Sequence, residues 1–516
     1  MLPLDECFGR LVTVIRQNDL VQSITDSLQF ISYYHPPDFI TAMAQAWEKE
    51  TAPAAKDALQ QVLVNSRMCY LGKRPICQDT GIVIVFVEVG MDVTWQTDSS
   101  LEDMINEGVK RAYLNSDNPL RGSILSDPDG LRKNTKDNTP AVIHTKIVRG
   151  DKVSINIAAK GGGSEHKARF TVLESSASVV DWILEEVPKM GSGWCPPGIL
   201  GIGIGGSPEK AMVLAKEALF EPIDIHKLQE RGAMNRSEEL RLEIFEKVNA
   251  LGIGAQGLGG LTTVLDVKVK DYPTHAANKP VAVIPNCIAT RHIHFELDGS
   301  GPATFEPPDF SLWPDLEYRA DANAREVDLD NLTKEDVQDW QTGEIVLLSG
   351  KILTGRDAAH KRLCQLIEQN ADLPVDFTNR FIYYVGPVDA VRDEVIGPAG
   401  PTTATRMDRF TETILQTGLL GMIGKAERSQ QTCETIARFG AVYLIAVGGA
   451  AYLISKSIVN AKRIAFEELG MESIHELEVN KMPLMVAVDA KGNSVHEHGP
   501  AKWRASSQEI RQTEIL

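Results

Sequence analysis

Three of the seven cysteines in this 516-residue chain stand in turns stiffened by proline and set beside apolar runs. Cys77 lies in Arg74-Pro75-Ile76-Cys77-Gln78-Asp79-Thr80-Gly81, directly ahead of Ile82-Val83-Ile84-Val85-Phe86-Val87. Cys195 lies in Gly193-Trp194-Cys195-Pro196-Pro197-Gly198, and Cys287 follows Pro285-Asn286. Any one of them alone reads more readily as a small buried hydrophobe than as a ligand. Together, three thiolates can hold three irons of a cubane [4Fe–4S] cluster and leave the fourth iron open. An open iron is a Lewis acid that polarises a hydroxyl or carboxylate oxygen. Arg121, Arg356, Arg406 and Lys425 are the cations available to accompany it, and arginine suits bidentate carboxylate binding. That combination fits dehydration of a small hydroxy-dicarboxylate.

Other stretches carry weaker signals. Gly161-Gly162-Gly163-Ser164-Glu165 exposes backbone N–H groups to a ligand, or is a flexible turn. Gly201, Gly203 and Gly206 satisfy G-x-G-x-x-G between a strand and a helix, the spacing of a dinucleotide cradle, so an NAD-dependent oxidoreductase is one rival reading. Against it, the preceding strand is short and glycine-rich, and no clear second strand ends near Glu221 or Asp224. A non-enzymatic metal or redox sensor would use the same thiolates. Gly397 to Asp408 is a stiff Gly/Pro loop feeding a helix N-terminus, where hydroxyls and free N–H groups suit an anion. Thr402 and Arg406, four apart, would share a helical face there. Cys7, Cys69, Cys364 and Cys433 lie in helix-like contexts and read as structural. No C-x-x-C occurs, which excludes a local zinc knuckle.

Composition narrows the class. The length suggests two or three domains. Hydrophobic content of 43% and charged content of 24% are those of a globular protein. A net charge of −17 argues against nucleic acid or an anionic membrane as partner. No apolar run reaches the ~18 residues of a membrane span. The first residues, Met1 to Cys7, lack a basic n-region and a transit pattern, so a cytoplasmic protein is expected.

These candidates need a scaffold. The expected fold class is α/β: a mixed α+β N-terminal domain over 1–300, a linker over 301–340, and a smaller α/β domain over 341–516. Residues 1–68 read as helical, with Asp38 and Pro53 opening helices. Leu101–Leu114 has amphipathic helical spacing, and 115–140 reads as a long loop. Residues 141–159 read as a hairpin about Arg149-Gly150-Asp151-Lys152, followed by a helix over 172–188. A helix is expected to open at Thr354, with Thr354 and Asp357 at capping-box spacing and Arg356 in its first turn.

With these motifs in view, the chain resembles the class I fumarases, the iron–sulfur fumarate hydratases, in the form with both halves fused. The stretches that carry the resemblance span nearly the whole length. They are the 74–81, 161–165, 195–198 and 285–287 segments above, together with Leu353-Thr354-Gly355-Arg356-Asp357-Ala358-Ala359-His360 and Gly400-Pro401-Thr402-Thr403-Ala404-Thr405-Arg406-Met407-Asp408. L-tartrate dehydratases share the plan, usually as two chains. The resemblance implies that Cys77, Cys195 and Cys287 ligate the cluster. It implies that Gln78, Arg121, Gly162, Arg356, Arg406 and Lys425 bind the two carboxylates. Asp79 would give a proton to the departing hydroxyl, and Thr402 would take one from the adjacent carbon, its alkoxide stabilised by Arg406 and Lys425. His275, in Pro273-Thr274-His275, matches a family position near the substrate. Similar enzymes are homodimers with the site at the junction of their two domains. Two departures, His166 where members often have Asn and Ala426 where Gly often follows the Lys, leave fumarate, L-tartrate and mesaconate open as substrates.

Overall fold

The computed structural model describes residues 12–318 and 324–513, with side chains through 504. Cys7 lies outside the described residues. The architecture is mixed α/β, as expected, in two units each assembled from separate stretches of chain. The first takes residues 12–36, Asp79–Lys160 and Arg291–Pro308; the second takes Pro37–Gln78, Gly161–Thr290 and the chain from Asp309.

In the first unit, Ile82–Gly90 is the central strand, as its β-branched run requires. It pairs in parallel with Val142–Val148 and antiparallel with Val153–Lys160, and His292–Leu297 completes the sheet. The expected hairpin about residues 149–152 is therefore corrected: both strands exist, but Ile82–Gly90 lies between them. The 149–152 turn wraps the end of that strand, with Gly90 N donating to Lys152 O at 2.9 Å and Asp92 N to Gly150 O at 3.0 Å. Turn chemistry marks where a chain reverses, but not which strand fills the gap. Leu101–Tyr113 is capped by Ser100, whose Oγ accepts from Asp103 N at 3.1 Å. Its buried face, Met104, Ile105, Val109 and Ala112, meets Leu20 and Ile24 of Gln17–Tyr33 over Val85 and Ile155 of the sheet.

The second unit holds two sheets. The smaller orders Val264–Tyr272, Gly198–Gly205, Lys279–Pro285 and Arg169–Leu173, the first pair parallel and the rest antiparallel. Residues 169–173 are thus a strand, and the helix expected from 172 begins at Val179, capped by Ser178. The helix Pro208–Ala218 lies against Gly198–Gly205. A Cβ on Gly201 would come 2.1 Å from Ala215 O, and one on Gly203 would come 2.0 Å from Ala211 O. These glycines serve close strand–helix packing.

The larger sheet runs Arg325–Asp328, Ile345–Thr354, Phe381–Tyr383, Gly421–Gly424, Val442–Ile445, Ile474–Val488 and Ile458–Ala465. Arg325–Asp328 comes from the stretch read as a linker. Ile474–Val488 also pairs along Ile345–Thr354, so Met485 faces Ile345 on one side and Ile445 on the other. The sheet thereby closes on itself, and closure removes edges. Its interior is Val346, Leu348, Phe381, Tyr383, Ile423, Leu444 and Val486. The alternate residues Ile382, Tyr384, Met422 and Tyr443 face a separate cluster with residues of the outer helices Asp357–Glu368, Asp408–Leu415 and Gln430–Phe439.

Candidate active site

In the second unit, the loops bearing the three thiols are each held by named contacts. The helix Pro53–Gly72 ends at Lys73 in the left-handed region, which turns the chain into Arg74. Arg74 is fully buried: its Nε meets Glu394 Oε1 at 2.9 Å and its Nη2 donates to Asp389 O at 2.7 Å. Asn65 Nδ2 donates to Ile76 O at 3.1 Å and to Gly449 O at 3.0 Å, fixing the approach to Cys77. The Cys77 thiol lies 3.2 Å from Gln78 Oε1, and Gln78 Nε2 donates to Pro401 O at 3.0 Å. Cys287 leaves the end of Lys279–Pro285, where Asn286 N donates to Ile199 O at 2.7 Å. The Cys195 N–H donates to Ser192 O at 2.9 Å, and Ile288 N donates to Cys195 O at 3.1 Å, joining the second and third loops.

Lys425 is where these loops meet. It follows the strand Gly421–Gly424, and its Nζ donates to Cys195 Sγ at 2.8 Å. Burial disfavours the ammonium, yet Cys195, Cys77 and Cys287 together push the Lys425 pKa upward. Burial raises the Cys195 thiol to about 11 despite the nearby Lys425 charge. A Cβ on Gly448 would come 2.4 Å from Cys195 Sγ, and one on Gly163 would come 3.3 Å from Lys425 Nζ. The thiol and the ammonium therefore rest directly against bare backbone, an approach that a side chain at either position would block. Gly162 opens the short helix Gly162–Glu165 beside this glycine wall.

The anion-binding side is built from the 400–408 loop. Thr402 N donates to Tyr384 O at 2.7 Å, and Lys425 N donates to Thr402 O at 3.1 Å, so Thr402 is docked beside the lysine. Only Ala404–Met407 is a 3-10 turn before the helix Asp408–Leu415. Even so, Arg406 Nη2 reaches Thr402 Oγ1 at 3.4 Å, and Arg406 pairs with Asp357 at 3.2 Å. Arg356 is the N-cap of Asp357–Glu368, not a first-turn residue. Thr354 closes a strand, and its Oγ1 accepts from His475 N at 2.8 Å instead of capping the helix. The Arg356 guanidinium meets Glu472 at 3.5 Å, while its buried Nε and Nη1 have no hydrogen-bond partner among the described residues. Such N–H groups are costly unless a ligand satisfies them.

Asp79 and Arg121 belong to the first unit. Arg121 Nη2 lies 3.8 Å from Asp79 Oδ1, and Arg121 O accepts from Thr80 Oγ1. Gly81 has φ +88°, and its Cβ position is 2.8 Å from Ala159 backbone, so only glycine passes there. Asn138 Nδ2 and Tyr113 Oη both donate to Gly81 O, at 3.0 and 3.3 Å. His275 is not brought to the thiols of its own chain: it is exposed on the loop before Lys279–Pro285, at the opposite end of that strand from Cys287.

Among the described residues, no three His, Cys, Asp or Glu side chains group as ligands of a single metal ion. Cys195 contacts the Lys425 ammonium, Cys77 and Cys287 act on the same charge, and three soft thiol donors of this kind are the ligand type an iron–sulfur group takes. Cys69, Cys364 and Cys433 are free, buried and helical, in line with structural roles. Sequence reasoning passed over Gln256, Glu427 and Arg74. Glu427 accepts from Ser192 N at 2.8 Å and Ser192 Oγ at 2.6 Å, gripping the Cys195 turn two residues from Lys425. Arg74 stood inside the first motif and could have been found there; Gln256 was marked only by its glycine-dense surroundings.

Soft donors beside a lysine, with arginine N–H groups to satisfy, suit the binding of a small anion. Residues 21–296 match the family described as fumarate hydratase (Fumerase), and residues 299–499 match the fumarase C-terminus. The chain belongs to the class I fumarate hydratase family, whose members are hydro-lyases. It is 32% identical to the anaerobic class I fumarate hydratase of Escherichia coli K12 over 86% of this chain and 83% of that one. It is 30% identical to a putative class I fumarate hydratase of Geobacillus stearothermophilus, covering 90% and 93%. A putative L(+)-tartrate dehydratase alpha subunit of Methanocaldococcus jannaschii is 33% identical over 50% of this chain and 90% of that one.

Proposed function

We propose that the chain catalyses the reversible hydration of fumarate to L-malate. The observation that carries this reading is the Lys425 ammonium donating to Cys195 Sγ at 2.8 Å, with Cys77 and Cys287 near enough to act on the same charge, in a chain of the class I family. In the dehydration direction the C3–H and C2–O bonds break, and fumarate and water leave with no net electron transfer. Cys77, Cys195 and Cys287 would hold a [4Fe–4S] cluster, which when bound supplies a Lewis-acidic iron for the hydroxyl and an adjacent carboxylate.

The residues of the chain do the rest. Arg356, with N–H groups to satisfy, and Arg406 bind a carboxylate; Lys425, Gln78, Arg121 and the Gly162 backbone complete the anion contacts. Thr402 Oγ1 takes the C3 proton, with the Arg406 guanidinium 3.4 Å away to stabilise the oxyanion. Asp79 delivers a proton to the departing hydroxyl. His275 has no place in this scheme within one chain. A homodimer in the cytoplasm is part of the proposal, and sedimentation at twice the chain mass tests the dimer.

Anaerobic reconstitution with iron and sulfide, followed by the ultraviolet absorbance of fumarate, tests the reading, with Cys195→Ala as control. L-tartrate and mesaconate run in parallel, because the carboxylate contacts are common to all. A reconstituted protein that turns over only L-tartrate or mesaconate would replace the substrate. A brown protein inert on all of them would overturn the activity.

A further inference from the structure

We infer that Gln256 is a positioning residue that fixes the backbone beneath the Cys195 sulfur and withholds an N–H donor from it; this rests on Cys195 being a cluster ligand. Gln256 sits in the 3-10 turn Ala255–Gly257 with φ +54°, and Cys195 itself has φ +58°. The left-handed region is uncommon for residues with side chains, and occurs where surrounding contacts enforce it. The turn is held on both flanks: Gly254 N donates to Thr263 Oγ1 at 3.1 Å, and Gly259 N donates to Ile253 O at 2.9 Å.

From there one buried amide grips two segments. Gln256 Nε2 donates to Pro196 O and Gly448 O, each at 3.3 Å, while Oε1 accepts from Gly448 N at 3.0 Å. The backbone N of Gln256 adds a bond to Pro196 O at 2.8 Å. Pro196 follows Cys195 directly, and Gly448 is the residue whose Cβ would lie 2.4 Å from Cys195 Sγ and 3.2 Å from Lys425 Cδ. A single side chain thus ties the turn that carries the thiol to the wall the thiol rests on.

The consequence is electrostatic as well as steric. Hydrogen bonds to cluster sulfurs set the reduction potential, and an added donor raises it. With its N–H committed to Gln256 Oε1, Gly448 offers no donor to the adjacent sulfur. Removing the amide frees that N–H and loosens the wall.

The test compares reconstituted wild type with Gln256→Met, which keeps length and loses both polar atoms, and Gln256→Glu, which keeps the acceptor and loses the donor. The readouts are iron loss to a chelator and the midpoint potential of the cluster, with thermal melting as the fold control. Gln256→Met should lose iron ~10-fold faster or more and shift to a more positive potential, and Gln256→Glu should lose iron at an intermediate rate. Wild-type iron loss and potential in Gln256→Met would overturn the inference. If Gln256→Met does not fold, Gln256→Glu alone decides, and a wild-type rate there overturns it. A wild-type chain that takes up no cluster overturns the inference and the cluster reading together, and is recognised because the unmodified protein itself fails.

Discussion

Replacing Glu394 with alanine removes the carboxylate that faces Arg74 Nε at 2.9 Å, in a pair whose side chains are 0% and 7% exposed. Breaking a buried ion pair from one side costs about 3–5 kcal/mol, because the surviving charge stays buried. The bond from Arg74 Nη2 to Asp389 O at 2.7 Å survives, so the lower end of that range is expected. About 3 kcal/mol corresponds to roughly a hundredfold in an opening equilibrium. Arg74 stands three residues before Cys77, so the loop that should open is the one bearing the first thiol. Hydrogen exchange of a peptide spanning residues 73–78, followed by mass spectrometry, should therefore quicken by about two orders of magnitude. Glu394→Gln keeps a hydrogen bond and should show a smaller rise. The exposed pair Lys247–Glu243, at 2.7 Å, provides the contrast: solvent screens it, and Glu243→Ala should leave its own peptide nearly unchanged. Unaltered exchange at residues 73–78 in Glu394→Ala would refute the assignment of the loop's rigidity to this pair.

Other expectations follow from the same geometry. Thr402→Val removes the Oγ1 beside Arg406 and should lower kcat by roughly 10²–10⁴-fold while changing KM little; an equal loss in kcat and rise in KM would argue for a binding role. Arg356→Lys keeps charge but loses the planar fork, and should raise KM about tenfold or more for dicarboxylates, read from steady-state kinetics. His360 is fully buried, and desolvation lowers its pKa from 6.5 to about 4, against the opposing bond to Arg356 O. Between those values the folded state binds fewer protons than the unfolded one, so stability falls as pH drops from about 6.5 toward 4, by about 3 kcal/mol. His360→Phe should flatten that limb of a melting-temperature profile, and an unchanged slope would discount the histidine. Chelation of iron from the reconstituted enzyme should abolish turnover, and iron with reductant should restore it; activity that survives complete iron removal would sink the cluster reading.

What the sequence determined by itself was local. Pro and Gly around Cys77, Cys195 and Cys287 announced constrained turns at strand mouths, because those residues restrict or free φ wherever they stand. Amphipathic spacing located Leu101–Tyr113, and the β-branched run located Ile82–Gly90. The G-x-G-x-x-G run showed the limit of spacing alone: Gly201 and Gly203 proved to be contact points for the helix Pro208–Ala218. Tertiary structure alone decided the partners. Ile82–Gly90 entered between two strands that read as a hairpin, and Ile474–Val488 closed a sheet by pairing along both its edges. It also decided that Lys425 meets Cys195, far from it in the chain, and that Glu427 and Gln256 secure the turn of that thiol. The physical reason is that backbone preferences act over a few residues, whereas strand order and the meeting of loops are set by which apolar faces bury one another, and many pairings satisfy the same alternating pattern.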